Sequence, residues 1–199
     1  MTVVLNTEEK ILLAAEEIFV LNGYDGSRMQ AIADKANINK AMLHYYFRSK
    51  EKLFERIFEE KVLHFFPKIE EDMVHLNTFL EKADLFIERY IHLINQYPYI
   101  PFFVVNTINK PNSQVFIEKL PLSLKRSLLA SLYADIEKGL IKDIQPFQFI
   151  MSLLGMCAFP YLMAPIFKHS FRFNDAEFSD LMILRIAELK RYIRFILLP

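Results

Sequence analysis

Residues 23–54 read GYDGSRMQAIADKANINKAMLHYYFRSKEKLF, and the spacing inside this stretch decides the fold. Apolar residues recur at helical intervals, with Met29, Ile32, Ala33 and Ala36 on one short segment and Leu43 and Phe47 on the next. Asn37 falls between them, where a left-handed residue turns the chain and Asn is a common substitute for Gly. Ser27 and Gln30 form an S-x-x-Q pattern expected to cap the first segment. Asn39 is placed to cap the second, and Ser49 to cap a following helix with Leu53, Ile57, Phe58, Val62 and Phe65 as its stripe. Pro67 is expected to end or kink that helix. Upstream, Ile11, Ala15, Ile18 and Phe19 mark a longer helix that opens on Glu8 and Glu9 and stops at Asn22-Gly23.

A longer helix followed by two short ones across a tight turn is the helix-turn-helix arrangement. The run also resembles the TetR-family DNA-binding signature, with its GY turn, its I-A-x-x-A-G-V helix and turn, and its L-Y-x-Y-F-x-[ST/N]-K-E-x-L tail. Asn37 stands where that pattern has Gly, Asn39 where it has Ser or Thr, and His44 where Tyr is frequent. The run covers about a sixth of the chain, and the remainder resembles the family only in size and helical character. The resemblance implies an all-α chain. An N-terminal three-helix DNA-binding head with its helix-turn-helix occupies residues 1–52, and a helical ligand-binding and dimerisation domain occupies 53–199. It further implies a cytoplasmic homodimer, probed by a small-molecule effector, on palindromic double-stranded operator DNA.

On the third helix Leu43 and Phe47 are one turn apart and are expected to face the head's core. Tyr45 then lies on the opposite side, with Ala41 and Met42 nearby, His44 and Tyr46 on the flanks, and Lys40 at the N-terminus. Such a face suits the major groove, where Lys donates to guanine O6 or N7 and apolar groups meet a thymine methyl. Lys50, in the first turn of the fourth helix, and Ser27 and Arg28, at the start of the second, are expected to hold phosphates. From Ser27 to Lys52 six basic residues face two acidic ones, a local surplus of four in a chain whose net charge is zero.

The rest of the composition narrows the function. Four glycines leave no Gly-rich phosphate loop. One cysteine, Cys157, excludes an intrachain disulfide and fits a reducing compartment. The first ten residues lack the order of a signal peptide. No two of the five histidines are spaced for a metal, and no nucleophile motif is present, so neither enzyme activity nor a cofactor is expected.

Residues 144–167 carry no charge over a length that spans a bilayer, which opens a second reading: a membrane-associated or interaction protein using the head for a partner other than an operator. Gln145, Gln148, Pro146, Pro160 and Pro165 favour a buried helix at a dimer interface instead. A C-terminal helix from about Asp175 to Leu197 places Phe178, Met182, Ile186, Leu189, Ile193 and Ile196 on one stripe, a basic amphipathic pattern that membranes also attract. Family resemblance implies that the last two long helices pack on their dyad mates, with Phe159, Met163, Met182, Ile186, Leu189 and Ile193 at the interface. It also implies a pocket in the middle of the chain. There Tyr90, Phe103, Asn106, Met156 and Tyr161 are expected to surround an apolar or aromatic ligand. Breaks at 97–101 and 110–112 flank a short helix that would link this pocket to the head, so that the ligand shifts the population away from the DNA-competent state.

Overall fold

Helix α1 (Thr7–Gly26) begins at Asn6, whose side chain accepts from Glu9 N at 2.9 Å while Glu9 Oε2 accepts from Asn6 N at 2.8 Å. This reciprocal pairing satisfies two of the donors that every helix start leaves open. The helical backbone breaks at Gly23 (φ 67°, ψ 177°), as the Asn22-Gly23 pair suggests, and one further turn follows. The computed structural model describes residues 5–109, 114, 118 and 122–199, all of whose regular elements are helices. They fall into two compact units, residues 1–64 and 65–199.

In the first unit, the head, α2 (Met29–Lys35) and α3 (Lys40–Tyr46) follow α1. Asn37 adopts φ 55°, as its position predicts. Around it Ile38 N donates to Ala33 O at 3.0 Å and Asn37 N to Asp34 O at 3.1 Å, a paired closure that occupies the last carbonyls of α2. Asn39 Oδ1 then accepts from Met42 N at 2.7 Å and starts α3. Helix α4 (Lys50–Met73) is capped by Ser49 Oγ, which accepts from Lys52 N at 3.2 Å.

The head extends further into α4 than the expected boundary at residue 52, because Leu53, Phe54, Ile57 and Phe58 are buried with Ile11, Ala15 and Phe19 of α1. Phe54 meets Phe19 edge-on at 4.7 Å and Tyr24 at 5.0 Å, and Lys61 pairs with Glu16 at 2.8 Å. Each ring pair adds about 0.5–1.5 kcal/mol beyond burial, so the first half of α4 is the head's fourth wall. Pro67 does not end the helix. Beyond it Ile69 and Met73 are buried in the second unit's core, and that burial holds the helical course past the missing donor.

The second unit, the body, is built on α5 (Phe79–Gln96), α6 (Ile100–Ile108), α7 (Leu122–Glu137), α8 (Pro146–Leu162), α9 (Ala164–Phe171) and α10 (Asp175–Leu197). Thr78 and Glu81 form a capping box on α5, and Asn174 and Glu177 form one on α10. The buried carboxylate of Asp135 on α7 adds a tertiary cap by accepting from Phe79 N at 2.7 Å. Helix α10 packs along α5, with Leu189, Ile193 and Leu197 meeting Ala83, Ile87 and Ile91 in one core. Two ion pairs one helical turn apart fasten them: Arg194 to Asp84, with Nη1 donating to Oδ1 at 2.9 Å, and Lys190 to Glu88 at 2.8 Å. Lys190 holds the Glu88 carboxyl below its usual range.

The break at residues 97–101 separates α5 from α6 as expected; the one at 110–112 lies outside the described residues. The uncharged stretch 144–167 is divided at Met163 into α8 and α9, bent by 61°. Among the described residues no single helix is long and apolar enough to cross a membrane.

Candidate nucleic-acid interface

Helix α3 buries Leu43 and Phe47 and leaves Lys40, Ala41, Met42, His44, Tyr45 and Tyr46 exposed. Tyr45 is 84% exposed, and its ring meets that of Tyr46 edge-on at 5.6 Å. Two adjacent tyrosines, an imidazole and an ammonium thus stand together in solvent on one short helix anchored by the buried Leu43 and Phe47. His44 Nδ1 lies 3.4 Å from Arg48 O, which orients the ring along the helix. Arg28 is exposed at the start of α2, which has no side-chain cap.

Two expected phosphate holders are placed differently. Ser27 is only 3% exposed, and its hydroxyl reaches backward to Gly23 O at 2.6 Å and Ile18 O at 3.1 Å. It neither caps α2 nor faces solvent, and Gln30 instead pairs with Asp34 at 2.7 Å. Ser27 therefore locks the end of α1, where the break at Gly23 leaves carbonyls in need of a donor. Lys50 also folds inward. Its Nζ donates to Tyr24 O at 2.8 Å and to Ser27 O at 3.2 Å, and it lies 4.3 Å from the centre of the Tyr24 ring. The ammonium pins the turn that carries Arg28, with a cation–π contact as its third partner.

In the body, the five expected ligand residues are not equivalent. Tyr90 stacks on Phe86 at 5.1 Å, and burial raises its phenol above the ordinary range. Tyr161 is buried, donating to Asn95 Oδ1 at 3.3 Å and Ile91 O at 3.4 Å, and Asn95 in turn donates to Ser179 Oγ at 2.8 Å. Its hydroxyl is thus engaged in a thread joining α8, α5 and α10. Met156 is half-buried and Phe103 is buried, but Asn106 is exposed, off the stripe that α6 buries through Ile100, Phe103 and Thr107. Asn106 therefore does not face an interior pocket. Tyr90 and Tyr161 do share one cluster, with Ile94, Phe178 and Met182.

The expected interface residues also divide. Met182, Leu189 and Ile193 lie in the protomer's own core, facing α5, and are not available to a partner; Ile186 and Met163 are half-buried. Of the six only Phe159, at 53%, is well exposed. Another set is open instead: Phe147, Met151 and Leu154 on α8, and Leu181, Leu184 and Phe195 on α10. At about 3.6 residues per turn each trio falls on one line along its helix. The signal was present in the sequence as a second apolar stripe on α10, masked by the stronger first one.

The model of the family described as bacterial regulatory proteins, tetR family, matches residues 11–57, which run from α1 through α3 into the buried start of α4. Residues 11–57 thus carry the head of that family. Among curated TetR-like relatives, the fatty acid metabolism regulator protein of Bacillus subtilis is 33% identical over 85 residues, covering 43% of this chain and 44% of its own length. The HTH-type transcriptional regulator QacR of Staphylococcus aureus is 27% identical over 114 residues, 53% of this chain and 61% of that protein. The chain thus aligns with about half the length of these curated relatives. The TetR fold extends further: the crystal structure of FadR from B. subtilis in complex with stearoyl-CoA superposes with a TM-score of 0.58 at 21% identity, covering 89% of this chain and 96% of that one. Among the described residues, no group of His, Cys, Asp or Glu is arranged to hold a metal ion.

Proposed function

We propose that this chain is a TetR-family transcriptional repressor that binds a palindromic operator as a homodimer and is released by a small apolar or aromatic ligand. The observation that carries the reading is the surface of α3, where Lys40, Ala41, His44, Tyr45 and Tyr46 stand in solvent over a buried Leu43 and Phe47. In the major groove Lys40 donates to guanine, Ala41 and the Tyr45 ring meet thymine methyls, and His44 and Tyr46 reach the flanking bases or phosphates. Arg28 serves the backbone by direct donation. Lys50 serves it by fixing the turn that carries Arg28 and by adding its charge.

The second copy covers the open lines on α8 and α10, with Phe147, Met151 and Leu154 against Leu181, Leu184 and Phe195. Two-fold pairing of this kind presents two α3 helices to two half-sites. The ligand reading draws support from the body's aromatic clusters and from FadR, whose structure holds stearoyl-CoA. Selection of bound sequences from a random DNA pool tests the core of the proposal. The expected result is an enriched inverted repeat whose affinity falls steeply with salt; a pool that stays random, or an asymmetric single site, overturns it.

A further inference from the structure

An open cleft of about 380 Å³ between α8, α9 and α10 is lined by Phe159, Phe167, Phe171, Phe173, Phe178 and Arg185, together with Pro160, Met182 and Leu181, the last of which also begins the line proposed to meet a second copy. Phe178 and Met182 form its buried floor, and Phe171 and Phe159 stand exposed at its rim. Phe171 lies 6.3 Å from Phe167 and 6.1 Å from Phe173, ring centre to ring centre. Contiguous exposed apolar surface lining a cleft marks an interaction or ligand site more than scattered surface residues do.

The cation is the informative member. Arg185 Nε donates to Met156 O at 3.1 Å, which fixes the guanidinium, and among the described residues no carboxylate pairs with it and its terminal nitrogens have no partner. The neighbouring cation, Lys168, is by contrast already paired with Asp175 at 2.7 Å. Arg185's charge is felt inside the body, where it works against the burial that raises the Cys157 thiol and the Tyr161 phenol. A fixed guanidinium with free donors at the wall of an apolar cleft is built for a planar anion.

We propose that this cleft binds a small organic monoanion with an apolar body, an aryl or medium-chain alkyl carboxylate, its carboxylate on Arg185 and its body against the phenylalanines. At about 30 Å³ per water-sized group the volume holds roughly a dozen non-hydrogen atoms. The cleft shares Phe178 and Met182 with the Tyr90–Tyr161 cluster, in which the Tyr161 hydroxyl is engaged by Asn95 Oδ1 and Ile91 O. Binding stands on the cleft alone; its effect on operator DNA rests on the regulator reading above.

Calorimetry with the full chain, titrated with octanoate, 4-phenylbutyrate and the neutral 1-octanol, tests it. Both acids are expected to bind once per chain, at least tenfold more tightly than 1-octanol. Arg185→Gln removes that preference for the acids. Because Arg185 also holds Met156 O, Phe171→Glu at the exposed rim provides a second variant, which repels the acids and leaves 1-octanol binding within about twofold. Equal affinity for octanoate and 1-octanol, or acid binding unchanged in both variants, overturns the site. Acid binding that appears only once Leu184→Glu and Phe195→Glu separate the protomers also overturns it, because a second copy then fills the cleft. Acids that bind as expected but leave DNA affinity unchanged refute the effector role while the site stands.

Discussion

Helices α3 and α10 each leave a large ring in water, Tyr45 at 84% and Phe195 at 85% exposure, and the two rings keep different neighbours. Around Tyr45 stand Lys40, Ala41, His44 and Tyr46, a mixture of cation, imidazole, phenol and methyl that matches base edges and phosphates. Phe195 belongs to a line with Leu184 and Leu181, and a similar line on α8 runs through Phe147, Met151 and Leu154. Such a line has nothing to give a phosphate and much to gain from another helix. Exposure by itself therefore says little; the company an exposed ring keeps is what separates the two surfaces.

The sharpest way to break this contrast is to charge the apolar line. Leu184→Glu combined with Phe195→Glu is expected to yield a monomer in sedimentation and to weaken operator binding by about 100-fold or more, since two linked heads are replaced by one. The variant's circular dichroism should stay helical, because both side chains are exposed in the protomer. A dimer that survives these two charges with full operator affinity assigns the interface elsewhere.

Within the head, Tyr45→Ala and Lys50→Ala separate reading from positioning. Tyr45→Ala is expected to relax base preference, at a cost of about 1–3 kcal/mol on the best site, with the thermal midpoint unchanged. Lys50→Ala frees the Tyr24 and Ser27 carbonyls of a charged donor, so it should lower the midpoint and weaken all DNA sequences alike. A Lys50→Ala head as stable as the parent would return Lys50 to a purely phosphate-directed role.

The head was largely legible in the sequence because its signals act over a few residues. Asn37, Asn39 and Ser49 each satisfy backbone groups within four positions, so type and place suffice to assign them. Ser27 was misread for the complementary reason: the same hydroxyl can bond forward into α2 or backward onto α1, and only the carbonyls freed by the break at Gly23 decide. In the body the decisive choices are long-range. Helix α10 carries two apolar stripes, and which one meets α5 depends on Ala83, Ile87 and Ile91 a hundred residues earlier. Periodicity located the helix to the residue yet gave its inner stripe, Met182, Leu189 and Ile193, to the wrong partner. Pro67 failed as a stop signal in the same way, outweighed by the burial of Ile69 and Met73.

Asp135→Ala probes that long-range character directly. The substitution leaves Phe79 N buried without its acceptor, a loss of about 1–3 kcal/mol. Hydrogen exchange should rise at amides of α5 and α7, whereas the amides of α2 and α3 keep their protection. Asp135→Asn retains an acceptor oxygen and should recover part of the loss. Faster exchange spread evenly over head and body would mean that the two units open as one.

The smallest effect, and the most selective, belongs to Cys157, the chain's only cysteine, fully buried on α8. Burial pushes its thiol from 9.0 up to about 12, so the folded body holds the proton through a range in which an unfolded chain releases it. Above about pH 9 the unfolded state binds fewer protons than the folded one, and stability falls as pH rises toward 12. Cys157→Ala removes this contribution and is expected to show a shallower alkaline decline in thermal midpoint than the parent, with no difference below pH 8. Alkylation at pH 8 follows the same logic: the parent should react with iodoacetamide only as the body opens, at a rate that climbs with added urea. Rapid labelling of the native protein would show that α8 exposes its inner face without unfolding, and that the body breathes along the helix carrying one of its two open lines.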